Sequence, residues 1–147
     1  MPTPTYNSLA TYTTTSGQST VTFSSISGYT DLIIIAQLGL ATASQDLLMR
    51  FNNDASAIYD WRAFYTTAST PVSWGDANNS KFVLDSVGVG TTVANQRIIQ
   101  IYDYANTNGF KNMNHHSSDM NKAIEYQSGT WRSTAATLIF NCFIHIT

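Results

Sequence analysis

From Ser19 onward, turn signals recur about every eight to twelve residues, and the segments between them either alternate apolar with polar residues or form short runs rich in β-branched side chains. A helix needs apolar residues at a spacing of three and four sustained over several turns, and no stretch of the chain supplies that pattern. The Ser, Thr and Asn at the polar positions compete with helical backbone hydrogen bonds and suit strand surfaces and turns. The expected fold is all-β: a jelly-roll-like antiparallel β-sandwich of eight or nine strands.

The first alternating segment starts at Ser19, with Val21 and Phe23 on one face and Thr20, Thr22 and Ser24 on the other, and closes at Ser27-Gly28. Residues 31–40 (DLIIIAQLGL) are apolar on both faces, the pattern of a central strand covered above and below and the expected spine of the core. Residues 47–52 and 59–65 flank the turn cluster Asn53-Asp54-Ala55-Ser56, which predicts two neighbouring antiparallel strands. Residues 66–79 hold Pro71, Gly75, Asp76 and two Asn and read as a long loop. Further strands are expected at 81–87, 97–104, 110–117 and 122–127. In 136–147, Leu138, Phe140, Cys142, Ile144 and Ile146 share one face, which predicts a core strand. Ile139, Asn141, Phe143 and His145 take the other face, and two large apolar residues there call for partial cover by a second chain or by the N-terminal segment.

Residues 1–18 read differently. Pro2 and Pro4 remove backbone donors, and Tyr6, Leu9 and Tyr12 at a spacing of three fit neither a strand face nor a stable helix. This segment is expected to be an extended arm, with a short strand around residues 9–13, attached to a sandwich domain of residues 19–147. The exposed arm residues, together with Tyr65, Trp74 and Phe143, are the candidate interface residues.

A chain of 147 residues buries enough surface to fold as one domain without a metal or disulfide staple, and its single Cys142 cannot form an internal disulfide. No apolar run is long enough to span a bilayer and no secretory leader is visible, so the expected place of synthesis and folding is a cytoplasm. Charged residues are 11% of the chain, against about 25% in an ordinary domain. Such a surface is expected to be covered in part by partners, first of all by copies of itself in a closed homo-oligomer such as a trimer. The seven Lys and Arg are scattered, which predicts no nucleic-acid partner, and no basic amphipathic helix suggests a membrane partner.

Candidate chemistry is thin. His115 and His116 are adjacent on a predicted strand and therefore point to opposite faces, so one metal site cannot readily use both. No G-x-S-x-G nucleophile elbow occurs. Asp46, Asp54 and Asp60 lack the spacing of a calcium loop and are better read as turn caps. Arg50 and Arg62 are expected to pair with Asp31, Asp46 or Asp60, and Cys142 to be a buried, unreactive thiol. No catalytic residue, cofactor or metal is expected, and the chain reads as a protein that is not an enzyme. Tyr59, Trp61, Phe64, Tyr65 and Trp74 crowd a short stretch; such rings either fill a core and an interface or, exposed together, stack on carbohydrate.

Two blocks, VTFSSISGYTDL at 21–32 and LLMRFNNDASAIY at 47–59, resemble a segment of small tailed-phage virion proteins of the pattern VTFSSIP-x-x-YTDL…LL-x-RFN-x-D-x-x-x-x-Y. A third, GTWRSTAATL at 129–138, resembles the closing segment G-x-W-x-[ST]-x-A-A of the same proteins. Ser27-Gly28 stands where those proteins often have Pro, and Asn53 where they have Gly, a position that asks for positive φ. The resemblance implies a small jelly-roll sandwich on the virion of a phage, made in a bacterial host and carrying no catalytic motif. Its implied role is a capsid decoration or cement protein bound to the major capsid protein, or a minor tail component. The alternative is a receptor- or carbohydrate-binding module of a tail fibre, using Trp74 and its neighbouring rings.

Overall fold

A computed structural model describes residues 6–15, 18–38, 46–67, 70–84, 95–118, 124–137 and 139–145. These contain ten strands: β1 (Thr20–Ser24), β2 (Leu32–Leu38), β3 (Asp46–Phe51), β4 (Tyr59–Thr67), β5 (Thr70–Asn79), β6 (Phe82–Val83), β7 (Asn95–Tyr102), β8 (Lys111–Ser118), β9 (Ile124–Trp131) and β10 (Ile139–His145). They form two antiparallel sheets, one of four strands in the order β1-β10-β3-β6 and one of six in the order β2-β7-β8-β9-β4-β5. The chain is an all-β sandwich.

The first four strands alternate between the sheets before β5 returns beside β4, and the last strand, β10, inserts between β1 and β3. This is the wrapping of a jelly roll, with one enlargement. The place between β2 and β4, which a single strand would fill, holds the meander β7-β8-β9. Three strands keep the parity of one, so every neighbouring pair in the wide sheet stays antiparallel.

The core is centred on Phe51, the last residue of β3. Its ring meets Phe82 and Phe140 from its own sheet edge-on at centroid distances of 5.6 and 5.4 Å, and Trp131 from the opposite sheet edge-on at 5.4 Å. Tyr59 from β4 closes the group, 4.9 Å from Phe82 and 6.3 Å from Trp131. All five rings are buried. The Tyr59 hydroxyl accepts a hydrogen bond from the Phe51 N–H at 3.1 Å and donates to the Asp54 carbonyl at 3.0 Å, so it ties the turn after β3 to the other sheet. Burial pushes the Tyr59 phenol up to about 12.

The turn itself is built by Asn and Asp. Asn52 and Asn53 both adopt positive φ, 52° and 58°, the second as expected for the residue standing in place of Gly. The Asn52 side chain donates to the Ala136 carbonyl at 2.8 Å and accepts from the Ile139 N–H at 3.1 Å. Asp54 accepts from the Ser56 N–H at 2.8 Å and from the Trp131 indole at 3.3 Å. Partial burial raises the Asp54 carboxyl, but these hydrogen bonds outweigh it and leave it below its ordinary value. Gly129 faces inward two residues before Trp131. A Cβ there would stand 2.6 Å from the Phe82 ring, so the missing side chain is what lets β6 approach β9.

Several expectations are corrected. Residues 31–40 do not form the central strand: β2 is the edge of the wide sheet, with Leu32 buried but Ile33 and Ile35 exposed on the other face. An apolar run records that both faces avoid charge, not that both are covered. The strands around 47–52 and 59–65 are not neighbours, because the Asn-Asp turn carries the chain from one sheet to the other. Most of the expected loop at 66–79 is β5, an edge strand, where Pro71 is tolerated because one side needs no donors. That strand accounts for ten rather than nine. Residues 9–13 form no strand. In β10, Phe140 is buried and Cys142 packs against the core, while on the opposite face Asn141 is buried and Ile139 half-buried. Leu138 and Ile146, and the side chains of residues 143–145, lie outside what the structure describes.

Because Phe51 has aromatic neighbours in both sheets, Phe51→Ala is expected to cost roughly 3–5 kcal/mol of unfolding free energy in a urea titration. Gly129→Ala is expected to destabilise as well, by forcing the Phe82 ring out of its place, whereas Ala at half-buried Gly109, where a Cβ meets nothing closer than 3.9 Å, is expected to be near neutral.

Candidate functional site

The inner face of the wide sheet is committed to the core, but its outer face is not. Opposed residues in antiparallel strands share a face, so the registers place Ile35, Ile98, His116, Tyr126, Phe64 and Ser73 in one row crossing all six strands. Four members are large, apolar and exposed: Ile35 at 79%, Phe64 at 68%, and Ile98 and Tyr126 at 49% each. Exposed Ile33 and Ile124 flank the row. His116 leans on Tyr126 with ring centroids 4.1 Å apart, continuing the apolar surface across β8 and β9. Arg62, on the same face, folds over Gly75, where a Cβ would stand 2.5 Å from its Cδ, and donates to the Trp61 carbonyl at 2.9 Å. Its charge is thus drawn toward the β5 edge, away from the row.

Beneath β8 the polarity is reversed. His115, fully buried, has its Nε2 3.3 Å from the Arg97 Nη1, and Arg97 also donates to the Leu84 carbonyl. A guanidinium only donates, so Nε2 accepts and the imidazole is neutral. Burial first, then the charge of Arg97 and the nearby His116, pull the His115 pKa down to about 3 against a weaker opposing interaction with the Gln127 side chain. Gln127 donates to the Val83 carbonyl at 2.7 Å, and buried Glu125 lies on the same inner face as Arg97. The cluster fastens the wide sheet to the end of β6. Among the described residues no three His, Cys, Asp or Glu side chains gather as metal ligands.

The residues singled out from the sequence do not form one site. Tyr6, Leu9 and Tyr12 are exposed in the N-terminal segment, where Gln18 donates to the Tyr12 hydroxyl. Tyr65 is half-buried on the inner face of β4. Trp74 is partly exposed on β5 but packs edge-on against buried Trp61 at 4.5 Å, on the face opposite to Phe64. The crowded aromatics are therefore divided between two faces. The side chain of Phe143 lies outside the described residues, and its backbone pairs with Thr20 and Leu48. The three Asp serve the fold where contacts are seen: Asp54 caps its turn, and Asp60 accepts from the Asn78 N–H and pairs with Arg132 at 2.8 Å. Asp31 accepts from the Asp103 N–H. Arg50 donates to the Ser80 carbonyl at 3.0 Å. Cys142 is half-buried against the core, and burial pushes its thiol up to about 12.

Ile33, Ile35, Ile98, Ile124 and Tyr126 were missed as surface residues. The signal was present in LIIIAQL and RIIQIY, whose alternate members reach the outer face, but an apolar run gives no cue to which face lacks a partner. Comparison with protein families, with curated proteins and with solved structures gave no match.

The neutral His115 sets a pH dependence with a definite sign. Its folded-state pKa lies below the ordinary 6.5, so its contribution is complete above pH 6.5 and is lost as pH falls from there toward 3. One such group changes stability by at most about 1.4 kcal/mol per pH unit. Unfolding free energies of wild type and His115→Gln, compared between pH 7 and pH 4, are expected to show the steeper loss in the wild type.

Proposed function

We propose that the chain is a structural protein of a phage virion, a capsid decoration or cement protein that binds the shell as a symmetric homo-oligomer. The observation that carries this reading is the apolar row on the outer face of the wide sheet. Solvated monomers rarely leave a contiguous band of Ile, Phe and Tyr uncovered, and such bands mark contact surfaces. The exposed Tyr6, Leu9 and Tyr12 supply a second apolar surface, on a segment without strand pairing that is suited to lying on a neighbour. Likeness of the RFNND and GTW blocks to phage virion proteins supports the same reading. Mechanically, a protein of this kind stabilises a shell by adding buried area across the joints between capsid subunits, so that opening a joint first requires stripping it off.

The tail-fibre reading, a carbohydrate-binding module, asks for Trp74 and its neighbouring rings on one platform. Trp74 and Phe64 face opposite ways, which leaves that reading with less support.

The test is co-sedimentation of the purified protein with capsids assembled without it. The expected outcome is saturable binding and a higher temperature of shell disruption; no binding to shells or to any virion part overturns the proposal. Deleting residues 1–16 is expected to leave the melting temperature of the domain nearly unchanged while weakening shell binding. A truncated chain that fails to fold shows the segment to belong to the sandwich.

A further inference from the structure

We infer that the outer face of the six-stranded sheet is where two copies of this chain pair, sheet against sheet, about a two-fold axis running along the strands between β8 and β9. The inference deepens the assembly reading and rests on it for its place in the virion.

Charge is the first argument for a second copy as occupant. The row from Ile35 to Ser73 and the rows on either side hold no carboxylate, and their one permanent charge, Arg62, is folded over Gly75. An acidic or basic partner would find nothing to recognise, whereas identical copies meet with little like-charge repulsion. Area is the second. Six strands at about 4.8 Å each and about seven residues along each strand give a face of roughly 29 by 24 Å. That is roughly 700 Å², close to the roughly 800 Å² per partner of an ordinary stable interface.

Self-complementarity is the third. The axis maps β2 onto β5, β7 onto β4 and β8 onto β9 of the other copy, and leaves the row facing itself. Ile98 then meets Phe64, His116 meets Tyr126, and the most exposed aliphatic residue, Ile35, meets the small Ser73. Arg62 meets Gln100, not another Arg62. Sheets stacked this way lie about 10 Å apart with their strands within about 30° of each other, and one contact on each side of the axis repeats on the other. A face that meets itself is isologous. The trimer suggested by low surface charge would need a different surface.

Sedimentation of the wild-type chain at micromolar concentration is expected to give a species of twice 16.2 kDa. Ile98→Lys and Phe64→Lys, both at exposed positions, are expected to raise the dimer dissociation constant by at least about tenfold, while at concentrations low enough for wild type and variants to be monomeric their melting temperatures agree, since neither side chain is part of the core. The register is read with Ile35→Cys combined with Ser73→Cys and a short bis-maleimide. Within one copy these positions lie at opposite edges of the sheet, roughly 24 Å apart, whereas across the pairing they are about 10 Å apart. Cross-linked dimer from the double variant, with none from the wild type, whose Cys142 is partly buried against the core, is the expected result. A wild type that stays monomeric at high micromolar concentration, or a dimer that survives both Lys substitutions together, overturns the pairing. Shell binding by such a monomer leaves the assembly reading standing, and a dimer that ignores shells supports the pairing while removing that reading.

Discussion

Everything in this fold is referred to the contact between Phe51 and its aromatic neighbours, because that contact joins the sheets. Phe51, Phe82 and Phe140 come from three strands of the narrow sheet, and Tyr59 and Trp131 from two strands of the wide one. Edge-to-face rings add roughly 0.5–1.5 kcal/mol per pair beyond the area they bury, and they fix relative position more sharply than aliphatic contacts. The Tyr59 hydroxyl, the Asn52 amide and the Asp54 carboxylate then hold the backbone of the turn and of the 131–139 segment around those rings. Removing one ring would open space in both sheets at once.

This accounts for why some of the fold was legible and some was not. The blocks RFNND…Y and G-x-W lie far apart in sequence, yet Phe51, Asn52, Asp54, Tyr59, Gly129 and Trp131 converge on one corner of the sandwich. They are conspicuous because each does something few residues can do: positive φ at Asn52 and Asn53, no side chain at Gly129, a donor at the tip of Trp131. Alternation in 20–24 was equally readable, since Phe23 on one face leans on the core, whereas 111–118 and 124–131 were legible as strands but their buried faces, polar in sequence, were not. Sheet membership was not. Whether β3 and β4 pair depends on which way the Asn-Asp turn sends the chain, and whether β2 is central depends on how many strands lie beyond it. Neither is a local property. The exposed apolar row was hidden for the same reason, because it draws its residues from six strands.

β8 shows how the two faces of one strand are set against each other. His115 points in and is held neutral against Arg97, while the next residue, His116, points out onto Tyr126. The inward cluster covers part of the wide sheet where the narrow one is not broad enough to supply apolar partners. The outward face keeps the apolar row that in most antiparallel sheets would be polar.

The scarcity of charge has a structural consequence beyond composition. Among the described residues, five Lys and Arg donate to backbone carbonyls of their own chain: Arg50 to Ser80, Arg62 to Trp61, Arg97 to Leu84, Lys111 to Gly109 and Arg132 to Ala57. A cation anchored in this way serves the fold and projects little field into solvent. The outer face therefore offers a partner neither steering nor screening by charge, and what it offers is apolar area. Contacts made through such a surface depend weakly on ionic strength and strongly on shape, since a substituted side chain in the row is felt by every residue packed against it.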